Sequence, residues 1–195
     1  KKETVTLDGA MVRFDSARID YGRDDIAIYL AGRGPKMLAM GGELADGVVL
    51  DFVYKESFAY WVDLIQSGAE RSGNSPKLCY STPIVTSDKT LEEVRPHMTY
   101  RLVNTPVDVQ QKIGMTRQDV ETIRQAMAHG LEEAGKYVKD EWVSPFVIMG
   151  SIDECAAELR ELVNQFQIDE FLVPILNTAE AARLMSEVQP VLEKM

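Results

Sequence analysis

The sequence is poor in cysteine, in histidine and in positive charge. Two cysteines and two histidines occur among its 195 residues, and neither Cys79 and Cys155 nor His97 and His129 have the spacing of metal ligands, so we expect no metal site. Lysine and arginine number 21 against 31 aspartates and glutamates, which gives a net charge of −10. Nucleic acids and anionic membranes are bound through basic surfaces, so this charge balance argues against both as partners.

Long hydrophobic runs and a secretory signal are also missing. No apolar run approaches the roughly 20 residues of a membrane span, and Lys1, Lys2 and Glu3 do not begin a signal peptide. Two cysteines without a disulfide pattern are typical of reduced thiols. We therefore expect a cytoplasmic protein without membrane attachment. The hydrophobic fraction of 45% is that of an ordinary globular protein.

The most informative pattern that the sequence does contain is strand, loop, helix and strand over residues 26–52. An apolar run at residues 26–31 predicts a strand that is buried on both faces. Apolar residues at helical spacing predict a helix over residues 35–44, and residues 48–52 form a second apolar run. A unit of this kind predicts two parallel strands joined by a right-handed crossover.

The loop of this unit, Gly32-Arg33-Gly34, is the strongest candidate site. Its glycines allow a tight turn and the close approach of a ligand to the backbone, and Pro35 suits the first position of a helix. The N–H groups that follow Ala31 at the start of this helix could bind an anion such as a phosphate, to which Arg33 could add a charge-assisted hydrogen bond. A plain tight connection, with Arg33 in solvent, is the alternative.

The rest of the chain predicts further strands and helices. In order, they are a hairpin around Asp8-Gly9 (residues 5–18), an amphipathic helix (57–72), a strand that bends or stops pairing at Pro83 (77–86), a charged helical region (91–143) with a cap at Thr116, an extended segment (146–149), a helix capped by Ser151 and Glu154 (152–166), a strand (170–176) and a final helix (to about 192). The helical region is either a solvated face, or an inserted cap or dimer surface.

Two phrases of the sequence resemble a known family. Residues 29–50 read YLAGRGPKMLAMGGELADGVVL, and a later phrase combines FVIMGSIDEC at residues 146–155 with FQIDEFLVP at residues 166–174. Both resemble the bacterial luciferase-like superfamily of flavin and deazaflavin oxidoreductases, and within it the 5,10-methylenetetrahydromethanopterin reductase branch. The two phrases and the order between them cover most of the chain.

The resemblance implies a fold and its extent. It implies an α/β chain that forms the C-terminal half of a luciferase-like (β/α)8 TIM barrel, a fold of roughly 250 residues or more. We expect a single partial barrel domain over residues 1–195, with a hairpin lead-in over 1–22 and a helical insertion over 89–143 between strands seven and eight. The N-terminal half of the barrel would then be missing from this chain and would be its partner. We also expect a homo-oligomer.

The resemblance further implies where a cofactor binds. In the family the loop after the first strand of this unit contacts the phosphate region of the cofactor, and the matching positions here are Ala31, Gly32, Arg33 and Gly34. Asp51, at the end of the second strand, stands where relatives often have a small hydroxyl or amide residue. A carboxylate there would repel a phosphate unless Arg33, Lys36 or Lys55 compensates.

Three functions follow as hypotheses. The first is hydride transfer between a deazaflavin, coenzyme F420, and a small-molecule substrate, as in a methylenetetrahydromethanopterin reductase. The second is an FMN-dependent monooxygenase of the luciferase type, built on the same scaffold. The third is a non-catalytic half-barrel whose open sheet edges need a partner. Catalytic residues cannot be named from this chain, because the resemblance places most of the groups that face the cofactor ring in the other half.

Overall fold

The computed structural model describes residues 3–20, 23 and 25–195. Along the chain the strands and helices are β1 (Val5–Asp8), β2 (Arg13–Ala17), β3 (Tyr29–Ala31), α1 (Pro35–Leu44), β4 (Gly47–Asp51), α2 (Phe58–Ser72), β5 (Lys77–Ser81), β6 (Ile84–Val85), α3 (Asp88–Val103), α4 (Val107–Lys112), α5 (Arg117–Met127), α6 (Leu131–Gly135), α7 (Asp140–Val143), β7 (Ile148–Met149), α8 (Ile152–Phe166), β8 (Glu170–Leu172) and α9 (Ala181–Glu193). Single turns of 3₁₀ helix precede α2 and α9.

A parallel sheet organises the fold. Its strands lie in the order β3-β4-β5-β8, and β6 and β7 form a second parallel pair. The β-α-β unit predicted over residues 26–52 is present, because β3 and β4 pair in parallel on either side of α1. The register sets Ala31 opposite Val49, and Asp51 opposite Ser81, so the carboxyl ends of the first three strands meet at one edge. The predicted α/β class is therefore confirmed.

Helices cover one face of this sheet. Side chains alternate along a strand, so Leu50 and Tyr80 point to the helices while Asp51 and Ser81 point to the opposite face. The buried side chains between the sheet and α1, α2, α8 and α9 are apolar, and they include Leu38, Val48, Phe58, Val62, Ile65, Leu159, Val188 and Val191. On the opposite face, Leu172 of β8 is 47% exposed.

The packing of α1 against α2 depends on glycine. A Cβ atom on Gly68 would lie 1.8 Å from the carbonyl oxygen of Ala39, and one on Gly42 would lie 1.9 Å from the carbonyl oxygen of Ile65. Real Cβ atoms do not approach backbone so closely, so the two helices can meet at this distance only because both positions lack a side chain. This contact fixes the direction in which α1 leaves the loop of residues 32–34.

The prediction for the first strand was wrong in two respects. The strand covers Tyr29–Ala31 and not all of residues 26–31, and it is not buried, since Ile28 is 69% exposed just before it. The reason is that β3 pairs with β4 on one side and has no strand on its other side among the described residues. The strand predicted over residues 170–176 is also shorter and ends at Leu172.

Local signals elsewhere correspond to observed elements. The strand predicted to break at Pro83 does so, because β5 ends at Ser81 and β6 begins at Ile84. Ser151 caps α8 in a reciprocal capping box with Glu154, as predicted. The hairpin around Asp8-Gly9 is present and antiparallel. Residues 1, 2, 21, 22 and 24 lie outside the described residues, so the lead-in predicted over 1–22 is described only in part.

Five helices, α3 to α7, lie between β6 and β7. They enclose an apolar core of their own, whose largest buried members are Met98, Leu102, Ile123, Trp142 and Phe146. The region is therefore more than a solvated face, and its description as an insertion into a barrel stays a prediction. In the part of the chain that the structure describes, no helix combines the length and apolar character needed to cross a membrane.

Candidate functional site

A cleft of about 520 Å³ opens where β3 and β4 end. Three parts of the chain form its walls: the loop of residues 32–34, the segment of residues 52–61 that leads from β4 into α2, and residues 101–109 of the helical region. The carboxyl ends of parallel strands are where α/β proteins commonly bind ligands. The cleft is therefore the candidate site.

The glycine loop forms one wall as predicted. Gly34 is the N-cap of α1 and has no side chain to cap it, and Pro35 occupies the first turn. The first N–H groups of a helix lack partners within the helix. Pro35 has no N–H and Leu38 donates to the carbonyl of Gly34, so the N–H groups of Lys36 and Met37 are the ones that a ligand could use. Gly32 also meets a packing need, because a Cβ atom there would lie 3.0 Å from the Cβ of Met37. Both readings of the loop, anion site and tight turn, thus have support.

The structure separates the five predicted site residues into two groups. Gly32, Arg33 and Gly34 line the cleft. Ala31 and Asp51 lie at the strand ends beside the cleft and are not among the residues that line it. Asp51 is connected to the cleft through a residue that sequence reasoning did not single out, Arg101 of α3.

Arg101 provides the charge that offsets Asp51. Its Nη2 donates a hydrogen bond to Oδ2 of Asp51 at 3.0 Å, and its guanidinium stands over the ring of Phe52, 5.4 Å from the centroid. The residue is 7% exposed. Burial, followed by the positive charge of Arg33, lowers the pKa of Arg101 to about 10, while Asp51 acts in the opposite direction. Arg101 thus stays charged at neutral pH.

Of the cations expected to compensate Asp51, one is close. Arg33 lines the cleft, and Asp51 raises the pKa of this arginine while partial burial, the larger effect, lowers it. Lys55 does not compensate Asp51 in this way, since its ammonium donates hydrogen bonds to the carbonyl of Val147 at 3.0 Å and to the carboxylate of Glu158. Two guanidiniums therefore accompany one carboxylate at this end of the cleft, which leaves an excess of positive charge suited to an anion.

The chain leaves β4 in a strained conformation. Phe52 has a φ of 47°, a value that bulky residues rarely adopt. Its N–H still donates to the carbonyl of Ser81 at 2.9 Å, and its side chain is 7% exposed. Strain of this kind persists where the surroundings over-determine it, commonly at functional sites. Here it turns Val53 and Tyr54 toward the cleft.

Aromatic side chains form much of the remaining wall. Tyr54 packs against Phe146 with 5.6 Å between ring centroids, and Tyr60 lies 5.1 Å from Trp61. Both pairs and Phe52 line the cleft. Tyr60 and Trp61 lie in the first turn of α2, and this place brings them to the border of the site. Flat aromatic surfaces beside an anion-binding end suit a ligand that combines a planar ring with a phosphate.

Several other polar side chains, among them both histidines, are not part of the cleft lining. Tyr80 is fully buried against Phe58 and Phe171, and this burial raises the pKa of its hydroxyl. Thr82 is also buried, and it donates to the carbonyl of Phe146 at 3.0 Å. His97 and His129 are exposed. Among the residues described, no group of histidine, cysteine and carboxylate side chains could hold a metal ion.

Comparison with known proteins places these features in context. The sequence matches the family model of luciferase-like monooxygenases over residues 1–169, which confirms the resemblance seen in residues 29–50. The 5,10-methylenetetrahydromethanopterin reductase of Methanolobus tindarius is 30% identical over 170 residues, which are 83% of this chain and 52% of that protein.

Solved structures show a similar fold. The coenzyme F420-dependent tetrahydromethanopterin reductase of Methanopyrus kandleri superposes with a TM-score of 0.76 at 23% identity, over 97% of this chain and 58% of that chain. An F420-dependent secondary alcohol dehydrogenase, in complex with an F420–acetone adduct, gives a TM-score of 0.65 at 14% identity, over 98% of this chain and 57% of that chain. The chain thus spans about half the length of the relatives it matches.

Proposed function

Since the chain belongs to the luciferase-like monooxygenase family, we propose that it is one half of an oxidoreductase that transfers a hydride between a deazaflavin coenzyme and a small organic substrate. The observation that carries the proposal is the cleft at the ends of β3 and β4, whose lining includes Arg33, Arg101 and the glycine loop. The names of two solved structures with a similar fold support a deazaflavin, because they describe an F420-dependent reductase and an F420-dependent dehydrogenase.

The residues present fit the phosphate end of such a coenzyme. Two guanidiniums can bond to phosphate oxygens, and the N–H groups at the start of α1 can donate to the same anion. The aromatic wall of Tyr54, Tyr60 and Trp61 offers apolar surface to the rest of the molecule. When bound, the coenzyme would supply the ring that accepts or donates the hydride. The side chains named here would bind and orient it and exclude water.

We also propose that the other half of the barrel covers the open part of this sheet. The exposed surface includes β3, whose outer edge is unpaired among the described residues, and Leu172 on the face opposite α1, α2, α8 and α9. An exposed strand edge can pair with further strands. This chain covers 58% of the solved reductase, so the remaining part of such a protein could supply those strands. We also propose that the protein forms a homo-oligomer and that residues 89–143 are a helical insertion in the barrel.

A binding measurement tests the function. Purified protein is titrated with coenzyme F420 and, separately, with FMN, and bound cofactor is followed by fluorescence. We expect F420 to bind more tightly, and a bound, oxidised coenzyme to lose its visible absorbance when a reducing substrate is supplied. Tighter binding of FMN would favour the monooxygenase hypothesis. Binding of neither cofactor, together with assembly that depends on protein concentration, would favour the non-catalytic half-barrel.

A pair of matched variants tests the site. Arg33→Met removes a guanidinium that lines the cleft, whereas Lys36→Met removes an exposed cation three residues further along that does not line it. A charge-assisted hydrogen bond contributes about 1.5–3 kcal/mol, so Arg33→Met should weaken F420 binding about tenfold or more. Lys36→Met should change it by less than about threefold. Equal effects of the two variants would contradict the proposed position of the phosphate.

A further inference from the structure

The charges around the anion-binding end of the cleft are unevenly matched. Arg33 and Arg101 supply two positive charges, and Asp51 supplies one negative charge. Arg101 is held in place, because its side chain is 8% exposed and is bonded to Asp51, whereas the Asp51 side chain is 43% exposed. A carboxylate with this much exposure can act on a ligand as well as on its arginine.

We propose that Asp51 shifts the preference of this site away from a phosphomonoester and toward a phosphodiester. The inference rests on the proposed function, since it concerns the cofactor phosphate that the cleft is proposed to bind. A phosphodiester carries one negative charge, and a phosphomonoester carries close to two at neutral pH. Asp51 repels each of these charges, so the second charge of the monoester meets a repulsion that the diester does not meet.

The geometry gives Asp51 a second role as a positioning residue for Arg101. The carboxylate accepts from Nη2 at 3.0 Å while the guanidinium remains over the ring of Phe52. The remaining N–H groups of Arg101 can then donate to a phosphate, as they belong to the same rigid fork. An acid at the end of β4 is thus compatible with an anion site, because it comes with its own arginine.

One other carboxylate borders the cleft. Asp108 lies in the first turn of α4, is exposed, and lines the wall opposite the glycine loop together with Asn104 and Thr105. No hydrogen bond joins Asp108 to Arg101 or Arg33 among the described residues. We expect Asp108 to repel a bound phosphate less than Asp51 does. Asp108→Asn is therefore a variant with a smaller expected effect than Asp51→Asn.

The test compares three ligands that share one deazaflavin ring: the riboside without phosphate, its 5′-phosphomonoester, and the methyl phosphodiester of that phosphate. Dissociation constants are measured by fluorescence at pH 7.5 for the purified protein and its variants. The quantity of interest is the ratio of the monoester constant to the diester constant. Because the ring is shared, this ratio reports on phosphate charge alone, and the riboside shows whether the ring site is intact.

Asp51→Asn should lower this ratio about tenfold. Two unit charges about 6 Å apart at an effective dielectric constant of about 40 interact by the equivalent of a tenfold change in binding. Asp108→Asn should lower the ratio by less. Asp63→Asn is the matched control, since it removes an equal charge from an exposed position on α2, and the ratio should stay the same.

A second variant keeps the test informative if Asp51→Asn fails to fold. Asp51→Ser removes the same charge and keeps an oxygen that can accept from Arg101, so it should also lower the ratio. A ratio that is unchanged within twofold in the folded variants, while the wild type binds the diester, would overturn the inference and leave the proposed function standing. If the wild type binds none of the three ligands, the proposed function itself fails.

Discussion

Replacement of a buried arginine by an apolar residue is expected to stabilise this protein and to weaken its cofactor binding. Arg101 is 7% exposed, and burial, with the charge of Arg33, lowers its pKa to about 10. When the pKa of a basic group falls on folding, its protonated form lowers the free energy of unfolding. This destabilisation is fully present at every pH below the lowered pKa. At 1.36 kcal/mol per pKa unit, the cost at neutral pH is about 3 kcal/mol.

Arg101→Met removes this cost and keeps most of the side-chain volume. It also removes the contact with the ring of Phe52, which contributes about 1 kcal/mol. The Asp51 carboxylate does not become a buried, unpaired charge, since 43% of its side chain is exposed to water. The net expectation, from the difference between these two contributions, is a gain of about 2 kcal/mol in the free energy of unfolding.

Two measurements are needed on the same variant. Urea unfolding should show the gain in stability, and fluorescence titration should show at least about tenfold weaker binding of the phosphorylated deazaflavin, because one charge-assisted hydrogen bond is lost. The matched control is Arg95→Met, on the same helix, which breaks an ion pair with Asp140 outside the cleft. It should leave binding unchanged. A loss of stability above about 1 kcal/mol in Arg101→Met, or unaltered binding, would refute this reasoning.

Two further predictions concern stability. Gly68→Ala should lower the free energy of unfolding by about 3 kcal/mol, because its Cβ atom would lie 1.8 Å from a backbone oxygen of α1; Gln66→Ala, exposed on the same helix, should change it little in the same urea titration. Burial raises the pKa of Glu187, but hydrogen bonds from Thr90 and Arg183 outweigh it, and the net pKa is lowered. A carboxylate with a lowered pKa stabilises the fold above its unfolded-state pKa, so Glu187→Gln should cost about 1 kcal/mol at pH 7. That difference should shrink as the pH falls below about 4.3, which unfolding at several pH values would show.

Features set by neighbouring residues could be predicted from the sequence. The capping box of Ser151 and Glu154 and the capped start of α5 at Thr116 involve groups three residues apart. The break at Pro83 follows from a missing N–H, which no tertiary contact can restore. The glycine loop is of the same kind, because Pro35 and the two glycines fix the turn between β3 and α1 by themselves.

The burial of β3 could not be predicted in this way. An apolar run indicates that a strand can be buried, but what covers it is decided by other elements of the fold. Here β4 pairs with one edge of β3, and nothing among the described residues pairs with the other edge. Ile28 is therefore 69% exposed although its sequence context is that of an inner strand.

The ion pair of Asp51 and Arg101 joins residues that are 50 positions apart, yet one half of it left a signal in the sequence. Leu91, Val94 and Met98 recur at helical spacing, and Arg101 continues their stripe in α3. Each of the three apolar residues is at most 4% exposed. An arginine on a buried stripe must find a counter-charge or a ligand, because an unpaired buried charge is costly. Asp51 raised the opposite question, since its carboxylate would repel a phosphate unless a cation compensates. Arg101 supplies the cation that Asp51 needs, and Asp51 supplies the counter-charge that a buried arginine needs. An arginine on an apolar helix stripe and an acid at a strand end should therefore be considered as a possible pair.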